Sequence, residues 1–335
     1  SDVTKTYNGS TDMTGATGQG AILSAGTLYN NESNGNLLDN ISGGTFAYTD
    51  KNFGIGNKAV TVNGVTVSDG NGGGNYAVTY VDNTTSTINK ANLTLSTSDV
   101  TKTYNGSTDM TGATGQGAVV AAGTLFTGDS LSGGSFVYTD KNFGIGNKSV
   151  TTSGVTVTDG VNTNNYNVSY VDNTTSTINK ADLTLSTSDV TKTYNGSTDM
   201  TGATGQGAVV AAGTLFTGDS LSGGSFVYTD KNFGIGNKSV TTSGVTVTDG
   251  VNTNNYNVSY VDNTTSTINK KDITAVTGIT AADKIYDGNT TATLDTSGAG
   301  FTGIVPGENL TVGTATGNFN SKDVVFASTV AITGI

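Results

Sequence analysis

Apolar and polar residues alternate in short runs along the whole chain, a pattern typical of half-buried β-strands. In Ala181–Thr187 the two leucines fall on one face, and in Ser225–Thr229 the phenylalanine and the tyrosine do the same. Further runs of this kind are Asp189–Tyr194, Ala208–Ala212, Ser239–Thr248, Tyr256–Tyr260 and Thr265–Lys270. No segment keeps a 3.6-residue period. The pattern predicts roughly seven or eight short strands in each ~90 residues, and few helices.

The same pattern recurs along the chain as four copies of one repeat. Ser98–Lys180 and Ser188–Lys270 are identical letter for letter, which sets a period of 90 residues. A period of this length predicts an array of one repeated domain. We assign repeat 1 to residues 1–90, repeat 2 to 91–180, repeat 3 to 181–270 and repeat 4 to 271–335. Ser1 aligns with Ser188, so we expect repeat 1 to lack the strand equivalent to 181–187, and we expect repeat 4 to be truncated.

Repeat 1 also carries a seven-residue insertion near Tyr29–Asn36, which we interpret as a lengthened surface loop. Within each repeat the apolar phase slips at one glycine: Val240 lies on an even position, whereas Val245 and Val247 lie on odd ones. A glycine at such a slip predicts a β-bulge or a strand break. The glycines concerned are Gly64, Gly154, Gly244 and Gly334.

The boundaries between copies carry no linker signal. Thr177–Thr184 contains neither proline nor a glycine- and serine-rich stretch, and one strand pattern runs almost directly into the next. Short strand-like junctions restrict bending. We therefore predict an all-β chain of tandem antiparallel β-sandwich (Ig-like) domains that form a rod. The alternative is a β-grasp-like repeat with one short helix, for which Thr217–Gly223 is the candidate segment.

Composition excludes several function classes. The 335 residues include no histidine, cysteine or tryptophan, all 15 basic residues are lysine, and the net charge is −11. A zinc site of the usual kind, a disulfide framework and a Cys- or His-based catalyst are therefore excluded. An acidic surface repels nucleic acid. No run of apolar residues is long enough to span a membrane, and no signal peptide opens the chain, so we expect an internal segment of a longer protein that is not an enzyme.

Three motifs recur in the copies and carry a family resemblance. Repeat 4 reads Lys-Ile-Tyr-Asp-Gly-Asn-Thr at 284–290, where the other copies have Tyr-Asn-Gly. Copies one to three also share Asp-Lys-Asn-Phe-Gly-Ile-Gly (230–236 in repeat 3) and a later Asn-Tyr pair. This set resembles the YDG/MBG-type repeats of bacterial surface adhesins, which occur in filamentous-haemagglutinin-like proteins exported by two-partner secretion. The Tyr-[Asn/Asp]-Gly residues are Tyr7, Asn8, Gly9, Tyr104, Asn105, Gly106, Tyr194, Asn195, Gly196, Tyr286, Asp287 and Gly288.

The resemblance implies an extracellular protein at a bacterial cell surface. We expect the repeats to be the stalk or fibre of an adhesin or biofilm-matrix protein, which projects a distal binding domain. A host surface, a neighbouring cell or a matrix polysaccharide would then be bound mainly through parts outside this chain. Two alternatives stay open: the repeats bind carbohydrate weakly with avidity through exposed Tyr and Asn side chains, or the chain self-associates into a filament.

Candidate chemistry is sparse in this sequence. We interpret each Tyr-Asn-Gly as a type I′ turn with the tyrosine packed over it, because both turn positions favour positive φ. No cofactor is expected. Calcium is a secondary possibility, with Asp230, Asp249 and Asp262 as candidate ligands, although no calcium-binding loop sequence is present. An isopeptide bond from Lys192 or Lys231 to an asparagine is a further hypothesis.

Overall fold

The computed structural model of the protein describes residues 1–29, 39–160, 165–250 and 254–335. These residues form β-strands, turns and irregular segments, and they contain no helix, so the prediction of an all-β repeat array is confirmed. No membrane-spanning helix therefore occurs in the described ranges. Most of the insertion near Tyr29–Asn36 lies outside the described residues.

The strands recur with the repeats. Repeat 1 contains β1 (Thr4–Thr6), β2 (Asn40–Tyr48), β3 (Gly54–Ser68) and β4 (Asn83–Asn89). Repeat 2 contains β5 (Ala91–Thr97), β6 (Thr101–Thr103), β7 (Ala118–Gly123), β8 (Ser130–Tyr138), β9 (Gly144–Thr158), β10 (Tyr166–Tyr170) and β11 (Asn173–Asn179). Repeat 3 contains β12 (Ala181–Thr187), β13 (Thr191–Thr193), β14 (Ala208–Gly213), β15 (Ser220–Tyr228), β16 (Gly234–Thr248), β17 (Tyr256–Tyr260) and β18 (Asn263–Asn269).

Repeat 4 has shorter strands: β19 (Ala275–Thr277), β20 (Thr280–Ala281), β21 (Thr291–Ala292), β22 (Leu294–Asp295), β23 (Gly300–Thr302), β24 (Thr316–Phe319) and β25 (Val330–Thr333). In repeat 3 every predicted run contains a strand. Thr217–Gly223, the candidate helical segment, is a turn followed by the start of β15. The β-grasp alternative with a short helix therefore finds no support in the described residues.

Each complete repeat holds two sheets. In repeat 2 the described strands form a four-stranded sheet in the order β6-β11-β9-β8 and a three-stranded sheet in the order β10-β5-β7. Most pairs are antiparallel, but β6 pairs with β11, and β5 with β10, in parallel. The sheets are thus mixed, whereas the pattern indicated antiparallel pairing throughout. Alternation reports which face is buried and carries no information on strand direction.

The phase slip at Gly244 is real, but it is not a bulge. β15 and β16 keep one register on both sides of it, with Gly223 paired to Val245 and Ser225 to Ser243. Gly224 lies opposite Gly244 in that register, and both have positive φ, 107° and 64°. Because the apolar phase changes in both strands at this pair of glycines, the pairing continues without an extra residue in either strand. The buried positions therefore switch faces, from Val240 before the glycine to Val245 after it.

The chain divides into two compact units, Ser1–Ala181 and Asp182–Ile335. In the first unit one apolar core joins the two repeats. Repeat 1 and repeat 2 contribute similar numbers of buried residues to it: Val3, Tyr7, Tyr48, Val60 and Ile88 from the former, and Ala91, Leu93, Leu95, Val155 and Tyr166 from the latter. The second unit has a cluster of Val190, Tyr228, Val240 and Ile268 in repeat 3.

The backbone at the first boundary is as direct as the sequence predicted. β4 ends at Asn89, β5 begins at Ala91, and Lys90 alone lies between them. β4 belongs to the four-stranded sheet of repeat 1, and β5 is the central strand of the three-stranded sheet of repeat 2. The boundary is therefore a strand that passes from one sheet into the next.

Candidate functional site: the junction between repeats

A buried lysine organises the loop that carries each Tyr-Asn-Gly motif. In repeat 2, Lys102 is only 2% exposed. Its Nζ donates to Asn105 Oδ1 at 3.0 Å and to the carbonyls of Ser107 at 2.6 Å and Asp109 at 2.8 Å. An ammonium has three N–H groups, so each has an acceptor. The Tyr138 ring, 5.2 Å from Nζ, covers the remaining side. The loop thus closes around a cation supplied by the chain itself.

The Asn-Gly pair is part of this loop, not of a hairpin turn. No described residue other than glycine has positive φ, so the type I′ prediction for Asn195 is wrong. Instead Asn195 Oδ1 accepts from the backbone N–H of Ser197 at 3.1 Å and from Lys192 Nζ at 3.0 Å. Local side-chain to backbone bonding of this type is a strong competitor of regular turns for asparagine. Gly196 follows with φ 81°.

The electrostatics of the loop favour a charged aspartate beside the lysine. Asp109 Oδ1 accepts from the N–H of Thr111 at 2.9 Å, and this hydrogen bond, with those of Ser107 and the Thr111 hydroxyl, lowers the pKa of Asp109 to about 2. Burial lowers the pKa of Lys102, and the charge of Asp109 partly counteracts that effect. The carboxylate therefore compensates for the desolvation of the ammonium.

Repeat 4 builds the same loop with an ionic contact. Lys284 Nζ lies 2.8 Å from Asp287 Oδ1, where the other repeats have an asparagine, and donates to Asn289 Oδ1 at 2.8 Å and the Thr291 carbonyl at 3.0 Å. Its ring contact is Phe319, at 5.9 Å. The aspartate of Tyr-Asp-Gly and the asparagine of Tyr-Asn-Gly therefore both bind the lysine ammonium through a side-chain oxygen.

The tyrosine of the motif reaches out of its own repeat. Tyr7 in repeat 1 is 1% exposed, and its hydroxyl donates to Asp129 Oδ2 of repeat 2 at 3.0 Å. Its ring packs edge-on against Phe126 and Tyr166 of repeat 2, with centroid distances of 5.6 and 5.4 Å. A Cβ on Gly9 would lie 2.9 Å from Phe126 Cβ, so glycine permits this approach. The tyrosine therefore packs across the boundary and not over its own turn.

Asp129 is shared by two tyrosines. The hydroxyl of Tyr166 donates to its Oδ2 at 2.5 Å. Burial, followed by the hydrogen bond to Asp129, raises the pKa of Tyr7 to about 12, and the same two causes raise the pKa of Tyr166. Both phenols therefore stay protonated as donors across the ordinary pH range.

A second contact across the boundary uses the two other recurring motifs. Asn165 of the Asn-Tyr pair is fully buried, and its Oδ1 accepts from the N–H of Phe53 at 2.7 Å while its Nδ2 donates to Asn52 Oδ1 at 3.0 Å. Its carbonyl accepts from the N–H of Ala91, at the start of β5, at 2.9 Å. Lys90 Nζ lies 5.0 Å from the Phe53 ring centroid. Asn165 thus bonds both to the segment between β2 and β3 of repeat 1 and to the first residue of β5.

The second unit contains a related junction between repeats 3 and 4. Tyr194 donates to Glu308, and a Cβ on Gly196 would lie 2.8 Å from Val305 Cγ1. The hydrogen bond to Glu308 raises the pKa of Tyr194. Lys231 Nζ lies 3.8 Å from Glu308 Oε1. Glu308 and Val305 therefore take the roles that Asp129 and Phe126 have in the first junction.

The candidate calcium ligands have other partners or are solvent-exposed. Asp230 pairs with Lys238, Asp249 Oδ2 accepts from the N–H of Asn255 at 2.7 Å, and Asp262 is exposed. The described part of the chain contains no group of three or more acidic residues placed to hold a metal. The structure therefore does not bring these three aspartates together as a cation site.

The isopeptide hypothesis meets a similar obstacle at Lys192. Its Nζ donates to Asn195 Oδ1 at 3.0 Å and to the Ser197 and Asp199 carbonyls, both at 2.7 Å. Because Lys192 Nζ donates three hydrogen bonds, the amine must be protonated, and a protonated amine is not a nucleophile. Lys231 faces Glu308, and the two side chains are 48% and 33% exposed. Lys192 is thus a buried structural cation, whereas Lys231 belongs to an exposed ion pair.

Sequence reasoning singled out the motif residues but missed their partners. Phe126 and Asp129 lie in segments that show no unusual pattern. Asn165 was noted only as part of a recurring pair, and the lysine of the motif was not recognised as the group that organises the loop. The available signal for the loop was the recurrence of lysine three positions before the Asn-Gly or Asp-Gly of each of the four motifs. Of the slip glycines, Gly64, Gly154 and Gly244 lie within the long strands, and Gly334, with φ 75°, follows β25.

Comparison with known proteins agrees with the recurrence of these motifs. The sequence profile of the YDG domain matches four times, at residues 1–86, 89–176, 179–266 and 269–335. The chain belongs to the YDG domain family. No curated protein and no solved structure is detectably similar to it. In this YDG array the residues that define the repeat also build the contact from one repeat to the next.

Proposed function

We propose that this YDG array is a load-bearing spacer, the stalk or fibre of a bacterial cell-surface adhesin or biofilm-matrix protein. In this role the repeats have no catalytic activity, and they hold a distal binding domain away from the cell. Export through a filamentous-haemagglutinin-like, two-partner pathway fits a cysteine-free, acidic chain. The number of copies then sets the reach of the adhesin.

One observation carries the proposal: the recurring motifs are used for joining. Tyr7 is buried by the next repeat, Asn165 bonds back to the preceding one, and a single residue separates β4 from β5. A ligand-binding motif would need these side chains to face solvent, whereas a spacer needs them at the boundary. Two identical neighbouring repeats also suit a role in which added copies supply length.

The test is a change in copy number in the full chain. Deletion of 91–180 joins Lys90 to Ala181 and preserves the boundary sequence, because repeats 2 and 3 are identical after residue 92. We expect the shortened chain to fold and to lose only length, as measured by small-angle scattering and electron microscopy. Binding of the intact and shortened chains to cells is compared as well. A steep loss of affinity on removal of this one repeat would contradict the spacer role.

The binding alternative is favoured by a different observation, the exposed tyrosines outside the motif. Tyr80, Tyr170 and Tyr260 are 42%, 40% and 40% exposed, and the hydroxyl of each accepts from a valine N–H at 3.1 Å. Exposed aromatic faces in tandem copies are suited to weak carbohydrate contacts with avidity. Glycan-array binding by the full chain, with and without calcium, separates the two roles: saturable binding that a Tyr→Ala change at these positions removes would favour the binder.

A further inference from the structure

Each of the first three repeats contains a second buried lysine, which differs from the lysine of the Tyr-Asn-Gly loop. In repeat 2 this residue is Lys148 of β9, and it is 7% exposed, as are Lys58 and Lys238 in the other two repeats. Lys102 has three oxygen acceptors. Among the described residues, Asp140 supplies the one acceptor that Lys148 Nζ contacts. A protonated Lys148 therefore keeps two N–H donors without acceptors in a largely buried position, which is unfavourable.

Burial also changes the protonation balance of this pair. Desolvation lowers the pKa of Lys148, and it lowers the pKa of Lys58 in the same way. Transfer of a proton from the ammonium to the carboxylate converts the ion pair into a neutral amine and a neutral acid, and a buried position favours neutral groups. A desolvated neutral lysine amine is a nucleophile. Lys148 thus has the chemistry that the fully bonded Lys102 lacks.

The aspartate presents its two oxygens to different partners. Asp140 Oδ2 contacts Lys148 Nζ, and Asp140 Oδ1 accepts from the backbone N–H of Asn142 at 2.7 Å. The other copies have the same backbone donor, at 2.8 and 2.7 Å, in the pairs Asn52–Asp50 and Asn232–Asp230. A donor at Oδ1 stabilises the negative charge that collects on this oxygen when a nucleophile adds to the carboxyl carbon. The carboxyl group is therefore held ready for addition of the amine.

A glycine leaves room for the lysine side chain beside this loop. A Cβ on Gly144 would lie 2.5 Å from Lys148 Cδ, and Gly54 and Gly234 are equally close to the lysines of their own repeats. Gly144 has no positive φ, so this position requires the absence of a side chain and not the conformational freedom of glycine. The fold therefore holds the amine against the carboxyl group, and such proximity greatly accelerates a reaction between two groups.

Repeat 4 replaces both members of the pair. Asn320 and Ser328 lie 90 residues after Asp230 and Lys238. Here the N–H of Ser328 donates to Asn320 Oδ1 at 2.9 Å, so the loop keeps a hydrogen bond without an amine or a carboxyl group. The two reactive groups are thus present together in three repeats and are both replaced in the fourth.

We propose that the aspartate and the lysine of each pair condense to an intramolecular isopeptide bond. The pairs are Asp50–Lys58, Asp140–Lys148 and Asp230–Lys238. A proton passes from Nζ to Oδ2, and the neutral amine then forms a bond to Cγ. A second proton moves from the nitrogen to Oδ2, the Cγ–Oδ2 bond breaks, and one water leaves. The ammonium and the carboxylate thereby become an uncharged amide, and no other reactant is needed.

The bond closes the segment that receives the next repeat. In repeat 1 the residues between Asp50 and Lys58 include Asn52 and Phe53, which hydrogen-bond to Asn165 of repeat 2. A covalent link from the end of β2 to β3 fixes this segment independently of the hydrogen bonds within it. The inference rests on the geometry of the pairs and does not depend on the spacer role.

The test is the intact mass of the full chain, measured by mass spectrometry after denaturation. We expect a mass below that of the sequence by one water for each of the three pairs. After trypsin digestion, residues 142–148 should stay attached to the peptide that ends at Lys141, and cleavage after Lys148 should not occur, because its amine has become an amide. A mass equal to that of the sequence would overturn the proposal.

Lysine-to-arginine variants assign the lost water. Lys148→Arg keeps a cation beside Asp140, but the guanidinium stays protonated and does not condense, so the mass deficit should fall by one water. Lys141→Arg, a neighbouring change outside the pair, should leave the deficit unchanged. A chain that combines Lys148→Arg with Lys58→Arg and Lys238→Arg should have the mass of its sequence. A deficit that persists in this triple variant would show that water is lost elsewhere and would also overturn the proposal.

Discussion

The junctions in the two units use one plan with different packing. In the first, Tyr7 donates to Asp129 and lies edge-on to Phe126 and Tyr166. In the second, Tyr194 donates to Glu308, and the neighbour of the motif glycine is Val305. The tyrosine and its acidic acceptor persist, while the aromatic wall becomes aliphatic. The polar pair is therefore the common element, and the surrounding apolar contact sets how strongly a given pair of repeats is joined.

This comparison also separates the joining residues from the folding residues. Lys5, Lys102 and Lys192 are all 2% exposed, and each has the same three oxygen contacts within its own repeat. The loop geometry is thus constant, and what varies is the surface against which the loop packs. Substitutions at the tyrosine should therefore have effects that depend on the junction.

The largest difference is expected from removal of the tyrosine ring. Tyr7→Ala deletes a fully buried aromatic side chain and should destabilise the boundary of repeats 1 and 2 by about 3–5 kcal/mol. Tyr194→Ala should cost less than half of that, because Tyr194 is only partly buried. The free energy of opening, from the urea dependence of hydrogen exchange, measures both. Equal losses would show that the aromatic wall does not matter.

The next largest effect is expected at the buried asparagine. Asn165→Ala leaves the N–H of the half-buried Phe53 without its acceptor and removes the bond to Asn52, at a cost of about 2–3 kcal/mol. Asn75 is the matched control, since it occupies the same position in repeat 1 but is exposed. Asn75→Ala should change thermal stability by less than ~0.5 kcal/mol. An Asn165 variant as stable as the control would contradict the bonding described here.

A smaller effect should follow loss of the phenol alone. Tyr7→Phe keeps the ring and removes one hydrogen bond to a carboxylate, at about 2 kcal/mol. Asp129→Asn weakens the hydrogen bonds from both Tyr7 and Tyr166. The double variant should nevertheless lose less stability than the sum of the two single losses, because both changes affect the Tyr7 contact. Urea unfolding of the single and double variants gives the coupling, and strict additivity would show that the pair does not interact.

High pH should weaken the same contact. The folded-state pKa of Tyr7 is about 12, above the ordinary value of 10. The stabilisation that the protonated phenol gives the folded state is therefore complete below pH 10 and is lost as the pH rises through 12. Wild-type chain should therefore lose stability at this boundary more steeply than Tyr7→Phe in that window. Thermal melts between pH 9 and 12 compare them, and parallel curves would exclude the coupling.

The smallest effect is expected from the exposed ion pair of the second junction. Lys231→Ala removes a 3.8 Å contact to Glu308 between side chains that are 48% and 33% exposed. Pairs of this kind contribute about 0–1 kcal/mol and are screened by salt. Thermal stability should therefore be almost unchanged at 0.15 M salt. A large loss would mean that Lys231 has a structural role beyond this pair.

Much of the fold was readable from the sequence, because alternation marks buried faces directly. The strand runs of repeat 3, the direct passage between repeats (seen at Lys90) and the phase slip at Gly244 all correspond to features of the structure. The parallel pairing of β6 and β11 was not readable, since it depends on contacts between residues more than seventy positions apart. The phase slip was misinterpreted as a bulge because one strand seen alone cannot reveal a matching change at Gly224.

The junction itself was the least predictable part. The motif positions were visible as recurring letters, but their partners Phe126 and Asp129 lie more than one hundred residues away from Tyr7 in the chain. Asn-Gly indicated a turn on local grounds, and the buried ammonium of Lys5 overrode that preference. The periodicity within a repeat reports which strand faces are buried and does not identify partners in another repeat. These contacts are therefore visible only in the structure.

The most direct test of the account asks whether a change in one repeat is felt in its neighbour. Hydrogen exchange of repeat 1 should be compared for Phe126→Ala and for Phe216→Ala, the same substitution in an identical sequence 90 residues further on. Residues 1–21 recur unchanged in repeats 2 and 3, so the exchange must be measured on peptides that extend through Ile22, where repeat 1 first differs. We predict faster exchange around Thr4–Tyr7 in the first variant and wild-type exchange in the second. Wild-type exchange of repeat 1 in both variants would contradict the claim that the YDG motif residues join one repeat to the next.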